Sequence, residues 1–201
     1  MKKIIFCEGQ NDSIFFDKLF TELDIHQTKI FDQKTSDILK RLKHAETIEI
    51  NRFIEKTSPY QILVKSEAGK GKAIPLFSRS MGFCFGKRSN LKPVLMLDLD
   101  GAPVNSELKK LKDRIKSNKT VAIDIESGRI HKTSINYLYE NVVKIKENKK
   151  QIGTFYLVLF ASSLEKELNN IDPSNDASIE DKISQLVELP DIQNTFSLVL
   201  D

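Results

Sequence analysis

The chain has 201 residues, of which 40% are hydrophobic and 29% are charged, so it can bury the core of one domain without disulfides. The 31 basic and 28 acidic side chains leave a net charge of +3, which excludes a protein that binds nucleic acid by overall charge alone. The two cysteines fit neither a disulfide framework nor a metal site, and no apolar run approaches the roughly 20 residues of a membrane span. We therefore expect a cytoplasmic protein with reduced cysteines and no membrane contact.

The chain opens with the pattern of a strand, a turn and a helix. Residues 4–7 are apolar throughout, which is typical of a strand buried on both faces, and the polar turn 8–12 follows. Apolar residues from Ile14 to Leu23 then recur at helical spacing, and Asn11 or Asp12 can cap that helix. This pattern predicts a first strand–turn–helix unit.

A charged stretch separates this unit from the next strand. Its apolar residues recur at helix-like spacing, so we predict a helical insertion that covers about residues 26–60. Residues 62–64 predict a second strand. A turn rich in glycine and lysine over 67–72 then leads into a predicted helix over 73–82.

The second half of the chain continues the alternation of strands and helices. The predicted elements are, in order, a strand over 93–97, a helix over 106–115 capped by Ser106, a strand over 121–125, a helix over 130–145, a strand over 154–160 and a helix over 163–171. Such alternation implies an α/β fold with a mainly parallel, Rossmann-like sheet and helices on both faces. We assign this domain to residues 1–171 and predict that 172–201 form a small accessory segment packed on its edge.

Carboxylates follow two of the predicted strands. Glu8 follows the first strand directly, and Asp98 and Asp100 end the strand over 93–97. Ligands of an open α/β sheet bind beyond the carboxyl ends of its strands, so these acids are candidate site residues. A lone acid in such a place is commonly a turn former or a helix cap, but turn chemistry does not readily explain two acids after a fully apolar strand.

The spacing of the two aspartates favours a metal site. Side chains two residues apart in an extended chain point the same way, so Asp98 and Asp100 are expected on one side of the sheet. Two carboxylates beside Gly101 suit Mg²⁺, which takes few protein ligands and keeps waters that a phosphate can displace. A third carboxylate from a neighbouring strand could complete the site or move a proton.

Two motifs lie at the ends of these strands. Residues 8–12 read Glu-Gly-Gln-Asn-Asp and are followed by Phe15 and Phe16, and residues 97–100 read Leu-Asp-Leu-Asp. The first motif resembles the Glu-Gly-x-x-Asp signature of TOPRIM domains, and the second resembles their Asp-x-Asp motif. TOPRIM is the catalytic fold shared by topoisomerases, bacterial primases, small ribosomal-RNA maturation nucleases and OLD-type nucleases. The resemblance implies an enzyme that acts on phosphodiester bonds of nucleic acid, and among such enzymes it favours a nuclease.

The resemblance also implies roles for individual residues. Glu8 would act as general acid/base or metal ligand, and Asp98 and Asp100 would hold Mg²⁺ or Mn²⁺. The supporting positions that it implies are Gly9, Asp12, the turn glycine Gly69, and Glu165 in a Leu-Glu segment similar to that of OLD-like stand-alone members.

The turn over 67–72 carries two lysines that suit phosphate. Gly69-Lys70-Gly71-Lys72 lacks the spacing of a Walker loop, but Lys70 and Lys72 could neutralise a nucleic-acid backbone without reading its sequence. Charged turns are more often simply solvated. We expect DNA or RNA as the partner, bound through this local basic patch, and a homodimer or a protein partner stays open.

Two other functions remain open at this point. One is a non-catalytic TOPRIM-like module that binds nucleic acid or protein. The other rests on residues 98–107, which resemble the Asp-x-Asp-Gly-Thr opening of haloacid-dehalogenase-type phosphatases, with Asp98 as nucleophile and Asp100 as general acid. In that motif Ala102 replaces the threonine, and the later acidic pair has only Asp176, Glu180 and Asp181 as candidates.

Overall fold

The protein alternates strands and helices along most of its length. The structure, a computed structural model, describes residues 2–32, 39–87, 91–116, 123–145, 148, 150–174 and 176–200. The elements in these residues are, in chain order, β1 (Lys3–Cys7), α1 (Gln10–Glu22), β2 (Thr28–Phe31), α2 (Leu39–Ile54), β3 (Ile62–Ser66), α3 (Lys70–Lys87), β4 (Lys92–Asp98), α4 (Val104–Lys116), β5 (Ile123–Lys132), β6 (Asn136–Ile145), β7 (Gln151–Phe160), α5 (Leu164–Ile171), α6 (Ile179–Val187) and α7 (Pro190–Leu200).

The strands form one mixed sheet in the order β2-β3-β1-β4-β7-β6-β5. The pairs from β2 to β7 in that row are parallel, whereas β6 and β5 add two antiparallel strands at one side. Every residue of β1 and β3 is buried, as expected for strands covered on both faces. The predicted α/β class with a mainly parallel sheet is confirmed.

Helices cover both faces of the sheet and build a core on each. Alternate residues of β1 enter the two cores: Ile4 and Phe6 face one, and Ile5 and Cys7 face the other. The first core is covered by α2, α3 and α4, and the second by α1, α5, α6 and α7. The helices on both faces that the alternation predicts are therefore present.

The predicted insertion over about 26–60 is only partly helical. Its first residues form the edge strand β2, which pairs in parallel with β3, and α2 follows. The segment is thus part of a β-α-β-α-β sequence and is not an insertion into one. The strand has only four half-buried residues of mixed polarity, so neither an apolar run nor a period of two marks it.

The predicted helix over 130–145 is wrong. These residues belong to the antiparallel hairpin of β5 and β6, and the predicted strand over 121–125 is described only from Ile123, where β5 begins. Strand β6 is buried on both faces, with Leu138 in one core and Tyr139 and Val143 in the other. A strand with apolar residues on both faces loses its period of two, and the spacing of its apolar residues then imitates a helix.

The C-terminal segment covers one face of the sheet and does not lie on its edge as predicted. Helix α7 places Phe196 in the second core, where its ring centroid lies 5.2 Å from that of Phe15 and 5.7 Å from that of Phe16. The Lys3 amine, at the start of the central strand β1, donates a hydrogen bond to the Leu200 carbonyl. Helices α6 and α7 are therefore built into the core of the same fold.

Two helices begin a few residues earlier in the chain than the sequence predicts. Helix α3 starts at Lys70 and α4 starts at Val104, so Ser106 lies inside its helix and is not the predicted cap. Both first turns consequently lie beside the carboxyl end of β4, where the candidate acids are.

Among the helices of the described residues, none combines the length and the apolar character that crossing a membrane would require.

Candidate functional site

The predicted carboxylates lie where the direction of the sheet connections reverses. From β1 the chain crosses to β2 and β3 on one side, whereas β4 pairs with the other side of β1. In an open α/β sheet, the carboxyl ends of two such strands form the crevice that binds ligands. Glu8 follows β1 and Asp98 ends β4, and the Glu8 Oε1 atom accepts a hydrogen bond of 2.8 Å from the Asp98 backbone N–H. The fold thus brings together two acids that lie 90 residues apart.

The loop that carries Glu8 is fixed by a buried carboxylate. The Asp12 Oδ2 atom accepts hydrogen bonds from the backbone N–H groups of Glu8 at 2.7 Å and Gly9 at 2.9 Å. The Ser66 hydroxyl donates to the Gly9 carbonyl at 2.6 Å, which ties the loop to the end of β3. The Glu-Gly-x-x-Asp pattern therefore has a structural reason, because Asp12 closes the turn that presents Glu8.

We expect Asp12→Ala to destabilise the protein by about 1–3 kcal/mol, because two N–H groups at a half-buried turn lose their acceptor. Asp12→Asn keeps an acceptor oxygen and should restore most of that loss. Urea unfolding of the two variants measures the difference in the free energy of unfolding. Equal stability of the alanine variant and the wild type would show that Asp12 does not hold this turn.

Four carboxylates line a cleft at this end of the sheet, which we call the acidic cleft. Its volume is about 280 Å³, and its acids are Glu8, Asp12, Asp98 and Glu165. Glu165 lies in the first turn of α5, and its Oε1 atom accepts a hydrogen bond of 3.1 Å from the Asn11 side-chain amide. Asn11 also lines the cleft, and the sequence assigned it only a capping role. No pattern in the sequence indicates this contact, since it joins residues 154 positions apart.

Three acids of the cleft, Glu8, Asp12 and Asp98, have pKa values above those of ordinary carboxyls. Burial raises the pKa of Glu8 to about 7, although the Asp98 N–H and the Lys70 amine oppose the shift. Burial, together with repulsion from Asp12, Glu8 and Glu165, raises the pKa of Asp98 to about 8. Burial also raises the pKa of Asp12 to about 6. Ionisation of these acids therefore places negative charge where burial leaves little water to stabilise it, and a bound cation would favour the ionised forms.

Asp98 also lies at the start of a helix. Its Oδ1 atom accepts a hydrogen bond of 3.2 Å from the backbone N–H of Leu164, the first residue of α5. The Ser163 hydroxyl caps the same helix by accepting from the Lys166 N–H. The positive end of the helix dipole favours the ionised form of Asp98, although burial outweighs it in the pKa.

Asp100 does not share the acidic cleft with Asp98, contrary to the expectation from their spacing. The backbone turns left-handed at Asp100, with φ of 50°, and at Gly101, with φ of 80°, so the extended geometry ends before Asp100. Its Oδ2 atom instead accepts a hydrogen bond of 2.6 Å from the Lys70 amine. Burial lowers the pKa of Lys70, but the Asp100 hydrogen bond and the nearby Glu8 charge more than offset this and raise it.

Two other residues of the turn over 67–72, Gly69 and Lys72, are predicted to support the site, and only Gly69 contacts the Glu8 loop. Gly69 has φ of 78°, and its N–H donates to the Glu8 carbonyl at 2.7 Å, so this glycine joins the turn before α3 to the Glu8 loop. Lys72 is exposed and lines neither the acidic cleft nor the groove beside it. Of the two lysines, only Lys70 contacts an acid of the site.

The carboxylate oxygens of the cleft suit a hard divalent cation, but few of them lie close enough together to bind the same ion. Within the described ranges, no group of three His, Cys, Asp or Glu side chains lies close enough to hold a metal ion. Mg²⁺ commonly takes only one or two protein carboxylates and keeps several waters. Glu8 and Asp98 form such a pair, and each uses one carboxylate oxygen in its backbone contact, which leaves the second oxygen as a candidate ligand.

Comparison of the chain with protein-family models, with curated proteins and with solved structures finds no match. The fold and the site by themselves define an α/β protein with a mainly parallel, Rossmann-like sheet. Its acidic cleft lies between β1 and β4, where the direction of the sheet connections reverses.

Proposed function

We propose that this chain is a Mg²⁺-dependent nuclease of the TOPRIM type, which cleaves phosphodiester bonds in DNA or RNA. The observation that carries the proposal is the direct contact between Glu8 and the end of β4 at Asp98, at the reversal point of the sheet. The two acids come from the two motifs that resemble TOPRIM signatures. Their contact supports the pairing that the resemblance implies.

The chain's own residues suit distinct parts of such a reaction. Asp98 and Glu8 would hold the metal, which when bound stabilises negative charge on the phosphate oxygens. A carboxyl with a pKa of about 7 can accept or donate a proton near neutral pH, so Glu8 also suits general acid/base work. Lys70 donates a hydrogen bond to Asp100 and interacts electrostatically with Glu8, so it would offset phosphate charge beside the cleft.

Incubation of the purified protein with labelled single-stranded and duplex DNA and RNA tests this proposal. We expect cleavage of at least one substrate with Mg²⁺ or Mn²⁺, and none with EDTA. Failure to cleave any of these substrates, by protein that demonstrably binds the metal, would contradict a nuclease.

A non-catalytic module is the second candidate, and one observation favours it. No cluster of three possible metal ligands exists in the described residues, and Asp100 is held by Lys70 outside the cleft. Calorimetric titration with Mn²⁺ separates the two functions, since the nuclease requires a binding site and a module that keeps only the fold does not. Absence of Mn²⁺ binding at millimolar concentration would favour the module.

The phosphatase is less well supported by the geometry. The later acids that it needs, Asp176, Glu180 and Asp181, are not among the residues that line the acidic cleft. Glu8, which the phosphatase motif does not use, contacts the end of β4 directly. Hydrolysis of small phosphate monoesters without nucleic-acid cleavage is the result that would restore the phosphatase.

We expect the metal-free protein to lose stability as the pH rises from about 4 to about 8. The folded pKa values of Glu8, Asp98 and Asp12 are about 7, 8 and 6, above ordinary carboxyl values, so the folded state holds protons that the unfolded chain releases in this range. Mg²⁺ should raise the melting temperature more at pH 8 than at pH 5, because only the ionised cleft binds it. Thermal melts across this range, with and without Mg²⁺, measure both effects. Stability that rises between pH 5 and pH 8 without metal would contradict the prediction.

A further inference from the structure

A groove with apolar walls lies beside the acidic cleft, between the first turns of α3 and helix α4. Its volume is about 490 Å³, within the size range of small-ligand sites. Its apolar lining residues are Ile74, Pro75, Leu99 and Ala102. Lys70 and Asp100 line the groove as well. Lys70 directly follows Gly69, whose N–H donates to the Glu8 carbonyl at 2.7 Å, and Leu99 directly follows Asp98, so the groove opens next to the cleft.

The charged residues of the lining are three cations, Lys70, Lys110 and Arg114, and two acids, Asp100 and Glu107, and the Lys70 amine is hydrogen-bonded to Asp100. Lys110 and Arg114 lie one turn apart on α4 and join Lys70 in the groove. The buried carboxylate of Glu107 accepts a hydrogen bond of 2.6 Å from the Lys110 amine. The groove therefore combines apolar walls, which suit the face of a base, with ammonium and guanidinium groups, which suit phosphate.

We propose that this groove, named the base groove, holds an unpaired nucleobase that adjoins the phosphate bound in the acidic cleft. The inference rests on the proposed function, because that function places the phosphate at Glu8 and Asp98. A base within a duplex is paired and stacked, so it can enter a concave site only after it leaves the helix. The chain consequently prefers single-stranded DNA or RNA over duplex.

Gly71 offers a direct way to block the base groove. It lines the groove, and a Cβ atom built on it meets no atom within 4 Å. A larger side chain at this position therefore has open space, and replacing glycine in a helix does not lower helix propensity. Gly71→Leu should fill part of the base groove without adding an aromatic face on which a base could stack, and should leave the carboxylates in place, whereas Gly71→Ala adds only a methyl group.

The test measures binding in the wild-type background, with both cleft acids intact and with Ca²⁺ in place of Mg²⁺, since Ca²⁺ also takes carboxylate ligands; a gel confirms that the probes stay intact. The probes are fluorescent oligothymidylate, oligouridylate and a blunt DNA duplex. We expect tighter binding of the single strands than of the duplex, and Gly71→Leu should weaken single-strand binding about tenfold, because the base loses its apolar contact with the groove walls. Gly71→Ala should bind as the parent does, and the two single-stranded probes show whether the groove serves DNA, RNA or both.

A second pair of variants provides the test if Gly71→Leu lowers the melting temperature too far for binding to be measured. Lys110→Gln removes a cation of the base groove, whereas Lys109→Gln removes an exposed neighbour that does not line it. Only Lys110→Gln should weaken single-strand binding and reduce its salt dependence.

Three results would overturn the inference. Equal single-strand affinity of the folded Gly71→Leu and Gly71→Ala proteins would overturn the base groove alone, and so would a preference for duplex. Cleavage by the wild type would in both cases still support the nuclease. Absence of binding to any probe by any variant would overturn the base groove together with the proposed function.

Discussion

Asp98→Asn is expected to lower metal-dependent cleavage by about a thousandfold, because it removes the charge that would hold the metal in the acidic cleft. The fold should survive, since an asparagine oxygen can still accept the hydrogen bond from the Leu164 N–H. The melting temperature of the metal-free variant at pH 8 should equal or exceed that of the wild type. The reason is that the ionised Asp98 repels Asp12, Glu8 and Glu165, and the substitution removes this repulsion.

Cleavage rates and metal-free melts on the same preparations measure both parts of this prediction. A matched control is Asp113→Asn, because Asp113 is exposed on α4 and lines neither the acidic cleft nor the base groove. Loss of activity in Asp98→Asn with a strongly lowered melting temperature would mean that Asp98 acts on stability. Unchanged activity would remove Asp98 from the site.

Phe196→Ala is expected to destabilise the protein by about 3–5 kcal/mol, the range for truncating a fully buried aromatic residue. Phe196 is 0% exposed, and its ring packs against Phe15 and Phe16 of α1. Since α1 begins directly after the Glu8 loop, loss of this packing should also loosen the acidic cleft. Urea unfolding followed by circular dichroism measures the change.

Leu198→Ala is the matched control on the same helix. Leu198 is 49% exposed, so its truncation should change the free energy of unfolding by no more than about 0.5 kcal/mol. Similar small losses for both variants would contradict the structural role of α7 in the core and would favour the accessory segment that the sequence predicts.

The sequence predicts the central strands well because they are short, apolar and bounded by polar turns. β1 and β4 are buried over nearly their whole length, and both were assigned from apolar runs alone. The same rule fails for β6, where burial on both faces removes the alternation that marks a strand. The edge strand β2 is missed because its four residues are only half-buried and of mixed polarity, so they form neither an apolar run nor an alternating pattern.

The proximity of Glu8 and Asp98 follows from a general rule for parallel sheets and needs no side-chain detail. The same rule does not predict that the Asp100 side chain lies outside the cleft, because this depends on left-handed backbone at two successive residues, Asp100 and Gly101. Aspartate adopts this conformation more readily than most residues, but the local sequence does not require it. The contact of Asn11 with Glu165 and the base groove depend on how distant helices pack, which no local pattern encodes.

The small net charge of +3 now has a structural interpretation. Acids gather in one cleft at the end of the sheet, while Lys70, Lys110 and Arg114 line the groove beside it. A divalent cation bound in the cleft would offset the negative charge of its carboxylates. The cleft and the groove could then bind the same nucleic-acid backbone. The chain would then bind nucleic acid through a site and not through its overall charge.

A crystal of the wild-type protein grown at pH 8 with Mn²⁺ tests directly whether the acidic cleft is a metal site. We expect an anomalous peak in the acidic cleft, from a Mn²⁺ ion bound by carboxylate oxygens of Glu8 and Asp98. Full-occupancy Mn²⁺ elsewhere on the protein, with none in the acidic cleft, would contradict it.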